Sequence, residues 1–427
     1  MAASSHRTVL ETLVHQPDKR IGSRSVGEWC AFFNHIARTQ RESVTLSERQ
    51  LHRWMAGTTR DARPAARRVA EIVWQLDFDT LVSAPTEAET APALSSVEHL
   101  NREIAMSTED TARWIKSGGG GVDSTVLDQL HADVRRFAAD HLTKSPLELI
   151  PDLTRARREI FDLLDRRQRP RYLPDLYLIA GQICALLAHA CADLGRTYDA
   201  ETHARTAWFA ADYAENNQLR AYVRWVQANI AYWAGDYQRA ADYADIGLAD
   251  EDDPSTVLRL ASQLARSRAA HSDNRAALRA LDTAMSAIDH VEPTSPSSRG
   301  VMWFEPGKAL YYAAETHLAI GGRHHNELAL SLADSALATF TPASPAEFSA
   351  AAELDAARAL LAMGDLDGAA GRLSRVLALP VELRTTPIIQ RVRSTAAQVA
   401  SLAQNSRSTH DLPERIKLFT TYTAAHS

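Results

Sequence analysis

The chain has 427 residues, of which 45% are hydrophobic and 23% charged, and its formal net charge at pH 7 is −6. This composition is that of a globular protein and excludes wholesale disorder, and the length corresponds to about three domains. Three cysteines are too few for a disulfide scaffold, and the first sixteen residues contain no apolar segment typical of a secretory signal. We therefore expect a protein of the reduced cytoplasm. The most apolar segment, Tyr177 to Ala192, carries Gln182 and His189, so we expect a buried helix there and no membrane span.

Charge is distributed unevenly along the chain. Residues 1–82 hold twelve Lys and Arg side chains against nine Asp and Glu, a net charge of +3, which leaves −9 on the rest. Within residues 44–70 there are six Arg and two acidic residues. A small basic segment on a large acidic body is typical of a protein that meets nucleic acid through the basic part alone.

Residues 1–82 have the spacing of short helices, which we predict at 7–15, 25–42, 48–56 and 64–75. Ser25 and Glu28 form a capping-box pattern at the start of the second helix. Ser47 suits the N-cap of the third helix, Gly57 suits its end, and Pro64 suits the first turn of the fourth. These helices predict a compact domain of four or five helices.

The segment Thr45–Trp74 resembles the recognition-helix half of the repressor-like (XRE-type) helix-turn-helix. The family pattern there is a polar cap, a recognition helix, Gly, a basic stretch with Pro and a last apolar helix. The resemblance implies that Leu51, Trp54 and Met55 face the domain core and hold the helix in place. About ten residues, 38–47, separate this helix from the preceding one, an insertion familiar from actinobacterial-type regulators that join this domain to a helical-repeat body.

The same resemblance implies that the other face of this helix contacts double-stranded DNA. An Arg side chain pairs with guanine and a Gln amide pairs with adenine in the major groove, whereas flanking Arg residues neutralise the phosphate backbone. The alternative is a structural helical domain with a solvated basic face. The predicted DNA-binding residues are Ser47, Arg49, Gln50, Arg53, Arg60, Arg63 and Arg67, with Arg68 beside them.

Residues 83–121 are predicted to be a linker with short helices. Residues 83–96 are rich in Pro, Ala, Ser, Thr and Glu, and one or two helices follow between Val97 and Lys116, before Ser117 and four consecutive glycines. The glycine run lacks both a preceding strand and a following Gly-Lys-Ser/Thr, so a flexible joint is favoured over a phosphate-binding loop.

From residue 122 to about 404 the sequence repeats as pairs of helices. The turn within each pair is marked by a small residue, and the intervals between these residues are 40, 37, 49 and 43: Gly195, Gly235, Ser272, Gly321 and Gly364. An alanine lies seven residues before each turn residue: Ala188, Ala228, Ala265, Ala314 and Ala357. Small residues at these positions allow the two helices of a pair to approach closely.

This pattern resembles the tetratricopeptide (TPR) repeat, although the intervals exceed its usual length of about 34 residues and its Trp and Tyr positions are poorly kept. The resemblance implies an all-α chain in which the helix-turn-helix domain of residues 1–82 is followed by a TPR-like solenoid over residues 122–406. Helices at 125–142 and 147–168 are expected to begin the stack, and one at 388–404 to cap it. Residues 407–427 are predicted to be a polar tail in which Ile416–Phe419 could dock.

In TPR proteins the first helix of each pair lines a concave groove, and here the residue after each small alanine is polar. A groove of mixed aromatic and polar side chains suits an extended peptide, because an Asn amide both donates to and accepts from a peptide backbone. Asn229 is the leading candidate. The alternatives are a partner protein, or no ligand, with these side chains polar only because they meet water. The predicted ligand-binding residues are Asn229, Tyr222, Trp225, Tyr232, His189, Arg266, Tyr311, Glu315 and Arg358.

The combined architecture is similar to the peptide-sensing helix-turn-helix/TPR regulators of the RRNPP superfamily. That similarity implies a homodimeric DNA-binding transcriptional regulator whose repeat domain dimerises and senses a peptide or small-molecule signal. The alternative is an interaction scaffold in which the groove binds a partner protein and the helix-turn-helix is not used on DNA.

No catalytic residue, cofactor or metal site is predicted. The sequence has no Gly-x-Ser-x-Gly, His-Glu-x-x-His or paired-carboxylate signature. Cys184 and Cys191 share a helix face without a ligand-spaced His and are expected to be core residues. His324 and His325 are expected to be a solvated pair in a loop. We therefore expect a protein that is not an enzyme.

Overall fold

The computed structural model describes residues 7–15, 25–39, 42–58, 62–74, 76–84, 96–117, 122–249, 251–292, 300–341, 344–403 and 411–424. Within these residues the regular structure is entirely helical, with twenty α-helices. The chain forms two compact units, Met1–Asp110 and Thr111–Ser427. These observations confirm the predicted all-α class.

Five helices build the core of the first unit. The core is rich in aromatic side chains, among which Phe33 and Trp54 are fully buried and the rings of Trp54 and Phe78 meet edge to face at 5.0 Å. Burial of each such side chain contributes about 1.5–3 kcal/mol. The helices are α1 (Val9–His15), α2 (Val26–Thr39), α3 (Glu48–Met55), α4 (Pro64–Trp74) and α5 (Phe78–Leu81).

The segment between α2 and α3 is tied to the helices at two points. The Asn34 side chain donates to the Leu46 carbonyl at 3.1 Å and accepts from the Leu46 amide at 2.6 Å. Arg68 on α4 forms two hydrogen bonds with the Glu42 carboxylate, at 2.8 and 3.1 Å. The long connection therefore still delivers the chain to the start of α3 in a defined position.

A single helix, α6 (Ser96–Ser117), lies in the region predicted to be a linker with short helices. It is one uninterrupted helix where one or two were predicted, because residues 96–117 contain no Pro or Gly to interrupt it. The boundary between the two compact units falls within α6. The glycine run of residues 118–121 lies outside the described residues.

The second unit is a stack of helix pairs, and it confirms the predicted TPR-like solenoid. Two helices, α7 (Ser124–Asp140) and α8 (Pro146–Leu164), precede five pairs, and two helices follow them. The pairs are α9 (Leu173–Asp193) with α10 (Thr197–Tyr213), α11 (Asn217–Trp233) with α12 (Tyr237–Leu248), α13 (Pro254–Ala270) with α14 (Asn274–Ile288), α15 (Pro306–Ile320) with α16 (Arg323–Thr339), and α17 (Ala346–Ala362) with α18 (Leu366–Val376). The last helices are α19 (Thr386–Ala403) and α20 (Leu412–Thr421).

Each pair turns at the residue predicted from the sequence. The five turn residues all have positive φ: Gly195 (71°), Gly235 (82°), Ser272 (67°), Gly321 (77°) and Gly364 (85°). A left-handed residue ends a helix, and in three pairs the following Asp caps the next helix by accepting a backbone hydrogen bond. The alanine seven residues earlier is fully buried in every pair. Helix contact at these alanines sets the spacing within each pair.

The C-terminal helices do more than close the end of the stack. The side chain of Gln390 on α19 donates to the carbonyl of Trp233, the last residue of α11 in the second pair, at 2.9 Å. The predicted role of this helix as a cap is therefore incomplete, since α19 also reaches helices far from the last repeat. On α20, Ile416 and Phe419 are buried, as the predicted docking of the tail requires.

One segment of the described chain, Pro170–Asp193, is long and apolar enough to cross a membrane by length and composition, with a mean hydropathy of 1.5. It contains α9, and 78% of its most apolar window is buried inside the protein. This burial is the one predicted for the apolar segment of the sequence.

Candidate ligand cavity and nucleic-acid surface

Helix α3 has one buried and one exposed face. Leu51, Trp54 and Met55 are buried against the core of the first unit. The N-cap side chain of Ser47 accepts a hydrogen bond from the backbone of Gln50 at 3.3 Å, which begins the helix at the predicted residue. Four of the predicted DNA-binding side chains are solvent-exposed on and before α3: Ser47, Arg49, Gln50 and Arg53.

The remaining predicted DNA-binding residues differ in their exposure and in their partners. Arg63 is exposed. Arg67 donates twice to the Asp79 carboxylate, at 3.1 and 3.2 Å, and its guanidinium lies 5.2 Å from the ring centre of Phe78. Arg67 thus stabilises the junction of α4 and α5, and it is a weaker candidate for a phosphate contact because its charge is already paired. Arg60 lies outside the described residues.

The second unit contains a cavity of about 600 Å³, including space open to solvent. The first helix of every pair contributes to its wall, together with the end of α7 and the beginning of α19. Of the predicted ligand-binding residues, five line this cavity: His189, Trp225, Asn229, Arg266 and Tyr311.

A network of hydrogen bonds within the cavity wall joins three of the predicted polar residues. Asn229 accepts from Arg266 at 2.8 Å through its side-chain oxygen, and Arg266 donates to Glu315 at 3.3 Å. Glu315 also accepts from Arg391 on α19 at 2.9 Å. These side chains are at most 5% exposed, so the alternative, that they are polar merely because they meet water, does not hold for them. They are buried because the first helices and α19 close over them.

The charges in this hydrogen-bond network keep its central carboxylate, that of Glu315, ionised. Burial alone would raise the pKa of Glu315, but the guanidinium groups of Arg391, Arg266 and Arg358 lower it to about 2. Asp355 is fully buried beside Arg391 and Arg358. Burial outweighs the effect of Arg391 there and raises the pKa of Asp355 to about 7.

The predicted aromatic residues hold buried cations. The guanidinium of Arg266 lies between two rings, 4.3 Å from the centre of Tyr232 and 3.8 Å from that of Tyr312. Arg259 lies 4.8 Å from Tyr222 and 5.0 Å from Trp225. Burial lowers the pKa of Arg259 to about 10. Tyr222 and Tyr232 thus support the wall of the cavity from behind.

Arg358 does not line the cavity. It lies on the fifth pair and donates to Asp355 at 3.2 Å, with its side chain 23% exposed. Its position after the buried Ala357 matches the repeat pattern, but its partner is a carboxylate of its own helix. The prediction that Arg358 faces a ligand therefore has no support from its position.

The other end of the cavity contains titratable residues that sequence reasoning missed: His141, Asp193, Lys308 and Glu347. Burial, reinforced by Arg259 and Arg266, lowers the pKa of Lys308 to about 7. Burial and the nearby Asp193 raise the pKa of Glu347 to about 8. For His189, burial and His141 hold the pKa well below the usual value. The only sequence signal for this group is the four-residue spacing of His189 and Asp193 on one helix.

The structure also tests the environments predicted for the two cysteines and for the histidine pair. Cys184 and Cys191 are free and buried, which confirms their predicted place in the core. His324 and His325 belong to the first turn of α16, so their predicted loop is wrong. His324 is exposed, whereas the Nδ1 atom of His325 lies 2.8 Å from Nδ1 of His317 on α15.

No protein-family model and no curated protein matches the sequence. Among solved structures, the chain is similar to a Rap protein in complex with competence and sporulation factor, with 13% identity and a TM-score of 0.37 over 70% of this chain and 95% of that one. It is also similar to the apo form of RapI, at 10% identity and a TM-score of 0.37 over 69% and 78% of the two chains. Yeast Tom70 matches 96% of this chain with 73% of its own, at 13% identity and a TM-score of 0.39. These similarities are distant and concern the helical-repeat fold alone.

Proposed function

We propose that this chain is a DNA-binding transcriptional regulator in which α3 is the recognition helix and the repeat unit senses a small ligand. The observation that carries the proposal is the division of α3 into two faces. Leu51 and Trp54 anchor one face in an aromatic core, whereas Arg49, Gln50 and Arg53 project from the other into solvent.

The exposed side chains of α3 have the chemistry that base recognition needs. Two guanidinium groups can each pair with the O6 and N7 atoms of guanine, and the amide of Gln50 can pair with N6 and N7 of adenine. The exposed Arg63 and the N-terminus of α3 suit contacts with phosphate groups. This arrangement supports the resemblance of residues 45–74 to the repressor-like helix-turn-helix. A homodimer would present two such helices to an inverted repeat.

Sequencing of genomic DNA captured by the purified full-length protein tests this proposal. We expect the wild type to enrich a recurrent inverted-repeat motif, and the double variant Arg49→Ala/Arg53→Ala to lose that enrichment. A matched control, Arg275→Ala/Arg323→Ala, removes two exposed Arg residues from the repeat unit and should keep it. Equal enrichment by the wild type and the α3 variant contradicts the proposal, as does no enrichment by the wild type with and without cell extract.

The salt dependence of affinity separates a regulator from an interaction scaffold. A helix-turn-helix domain that makes about six phosphate contacts should lose roughly a thousandfold in its affinity for DNA between 50 and 200 mM salt. A scaffold whose first unit does not use DNA would bind its partner with little dependence on salt or on Arg49 and Arg53.

The chemistry of the cavity wall suits a small molecule or a short peptide as the signal. The wall offers aromatic rings from Trp225 and Tyr311 and polar groups from Asn229 and Arg266. Ligand binding in the cavity would change the affinity for DNA if it altered the arrangement of the two helix-turn-helix domains in the dimer. Equal operator affinity with and without the low-mass fraction of cell extract contradicts this sensing role.

A further inference from the structure

Three side chains with metal-ligating atoms meet at one end of the cavity. His141 follows directly after α7, and His189 and Asp193 lie one turn apart on α9. The Nε2 atom of His141 is 3.6 Å from Oδ2 of Asp193, and the Nε2 atom of His189 is 3.9 Å from the same oxygen. All three ligand atoms lie within 4.8 Å of one another.

The nitrogen–oxygen distances between these side chains are close to the distances between ligand atoms around a bound metal ion. Zinc binds imidazole nitrogen at about 2.0–2.1 Å and carboxylate oxygen at about 2.0–2.2 Å, which places tetrahedral ligands about 3.4 Å apart. The two nitrogen–oxygen distances here exceed that separation by a few tenths of an ångström. The two imidazole nitrogens lie within 4.8 Å of each other, so the side chains must rotate to bring all three ligand atoms to one ion.

The surroundings of His189 suit ligation through its Nε2 atom. The Nδ1 atom of His189 lies 3.5 Å from the Tyr222 hydroxyl, which can accept its proton and leave the Nε2 lone pair free. The two imidazole rings stack with their centres 4.4 Å apart and an interplanar angle of 29°. The side chains of His141 and His189 are 7% and 8% exposed, and that of Asp193 is 13% exposed. The three side chains are therefore largely shielded from solvent.

We propose that His141, His189 and Asp193 form a binding site for a divalent transition metal ion of the zinc class, with a remaining coordination position open to the cavity. Two imidazoles and one carboxylate favour such ions over Mg²⁺ and Ca²⁺, which prefer oxygen ligands alone. Three protein ligands and one open position are the arrangement that lets a metal also hold an exogenous group. The site does not depend on DNA binding or on the proposed sensing of a ligand.

Titration of metal-free full-length protein with Co²⁺, followed by displacement with Zn²⁺, tests this site. We expect one Co²⁺ per chain with the visible absorption of nitrogen and oxygen ligation, and no displacement of Zn²⁺ by excess Mg²⁺. His189→Ala and Asp193→Asn should each weaken Zn²⁺ binding by more than about 100-fold. Tyr222→Phe should weaken it by about tenfold, the lower end of the cost of losing the partner of a ligand.

A second histidine pair in the same unit provides the matched control. His317 and His325 have their Nδ1 atoms 2.8 Å apart, but they belong to no cluster of three ligating groups among the described residues. His325→Ala should therefore keep the wild-type affinity for Zn²⁺. If His189→Ala does not fold, as judged by circular dichroism, Asp193→Asn provides a variant of nearly unchanged shape. NMR of the wild-type histidines should also show Zn²⁺-induced shifts at His141 and His189.

Three results would overturn the proposal. The first is no binding of Co²⁺ or Zn²⁺ by the wild type. The second is unchanged affinity in Asp193→Asn or His189→Ala. The third is a thiolate charge-transfer band in the Co²⁺ spectrum, which would assign the metal to Cys184 or Cys191 instead.

Discussion

Arg391 and Glu315 lie 76 positions apart in the sequence and form a buried ion pair, with Nη2 of Arg391 2.9 Å from Oε2 of Glu315. Both side chains are at most 5% exposed. The same carboxylate accepts from Arg266 at 3.3 Å. Glu315 thus joins the third pair, the fourth pair and the C-terminal helix α19. Removing one partner of a buried ion pair leaves an uncompensated buried charge, so we expect the position of α19 to depend on this carboxylate.

Replacing Glu315 by Gln should destabilise the second unit by about 3–5 kcal/mol, because it leaves the buried charges of Arg391 and Arg266 without their counter-charge. Urea unfolding followed by circular dichroism measures the effect. The control is Glu327→Gln, which removes the partner of Arg323 in an exposed pair with side chains 52% and 89% exposed. That change should cost no more than about 1 kcal/mol. Equal losses in the two variants would show that the buried network does not hold α19.

The raised pKa of Asp355 predicts an unusual pH dependence. Burial raises the folded-state pKa from 3.8 to about 7. Between these values the folded protein holds a proton that the unfolded chain has released, so this group lowers stability as the pH rises through that window. Asn cannot release a proton. The free energy of unfolding of Asp355→Asn relative to wild type should therefore increase from about pH 4 to about pH 7, by on the order of 3 kcal/mol.

Thermal unfolding of both proteins at several pH values within this window measures the difference. Curves that run parallel would show that Asp355 is ionised throughout the range. Asp282→Asn, an exposed carboxylate of α14, is the control and should follow the wild-type curve.

The turn of the third pair is strained relative to the others. Ser272 has a φ of 67°, in the left-handed region that costs a residue with a side chain about 1–2 kcal/mol. Ser272→Gly should remove that strain. The greater conformational freedom of Gly in the unfolded chain should cost about 0.5–1 kcal/mol of the stability gained. We expect a net stabilisation of about 0.5–1 kcal/mol in chemical unfolding.

Gly235→Ala is the reciprocal change at the equivalent turn. An added Cβ there meets nothing within 4 Å, so only backbone strain at a φ of 82° is introduced. This variant should be destabilised by about as much as Ser272→Gly is stabilised. Stabilisation of both proteins, or of neither, would contradict the assignment of strain to the left-handed position.

The buried alanines predict a strict limit on side-chain size between helices. Ala333 on α16 is fully buried among Ala314, Ala356 and Ala359. Ala333→Leu should destabilise the second unit by about 1–3 kcal/mol, because the extra methyl groups force the helices apart. Ala338→Leu places the same side chain on an exposed position of α16 and should change stability by less than about 0.5 kcal/mol. Denaturant titration distinguishes the two, and equal effects would exclude close packing at Ala333.

Much of the fold could be predicted because its signals are local. The left-handed turn at Gly235 and the burial of Ala228 seven residues earlier both follow from the geometry of one helix pair. The two faces of α3 were implied by the resemblance to the repressor-like helix-turn-helix, and the burial of Leu51 and Trp54 agrees with it. DNA binding by the exposed face of α3 stays a prediction.

The environment of the inner residues could not be predicted. Asn229 and Arg266 were expected to face a groove and instead hydrogen-bond to each other in the interior, although both also contribute to the cavity wall. Arg391 lies beyond the last repeat, so no repeat position indicated it. Lys308 was missed for a similar reason, since an isolated Lys in a helix is usually a solvated residue.

The sequence by itself determined most of the helical segments, where each pair turns and which alanines lie between helices. These features depend on backbone conformation and on contacts within a few turns of one chain segment. Only the tertiary structure decided that Arg391 meets Glu315 and that His141 meets His189 and Asp193. Such contacts join residues 48 or more positions apart. They depend on how successive helix pairs are rotated against one another, a property of the whole stack that no local pattern encodes.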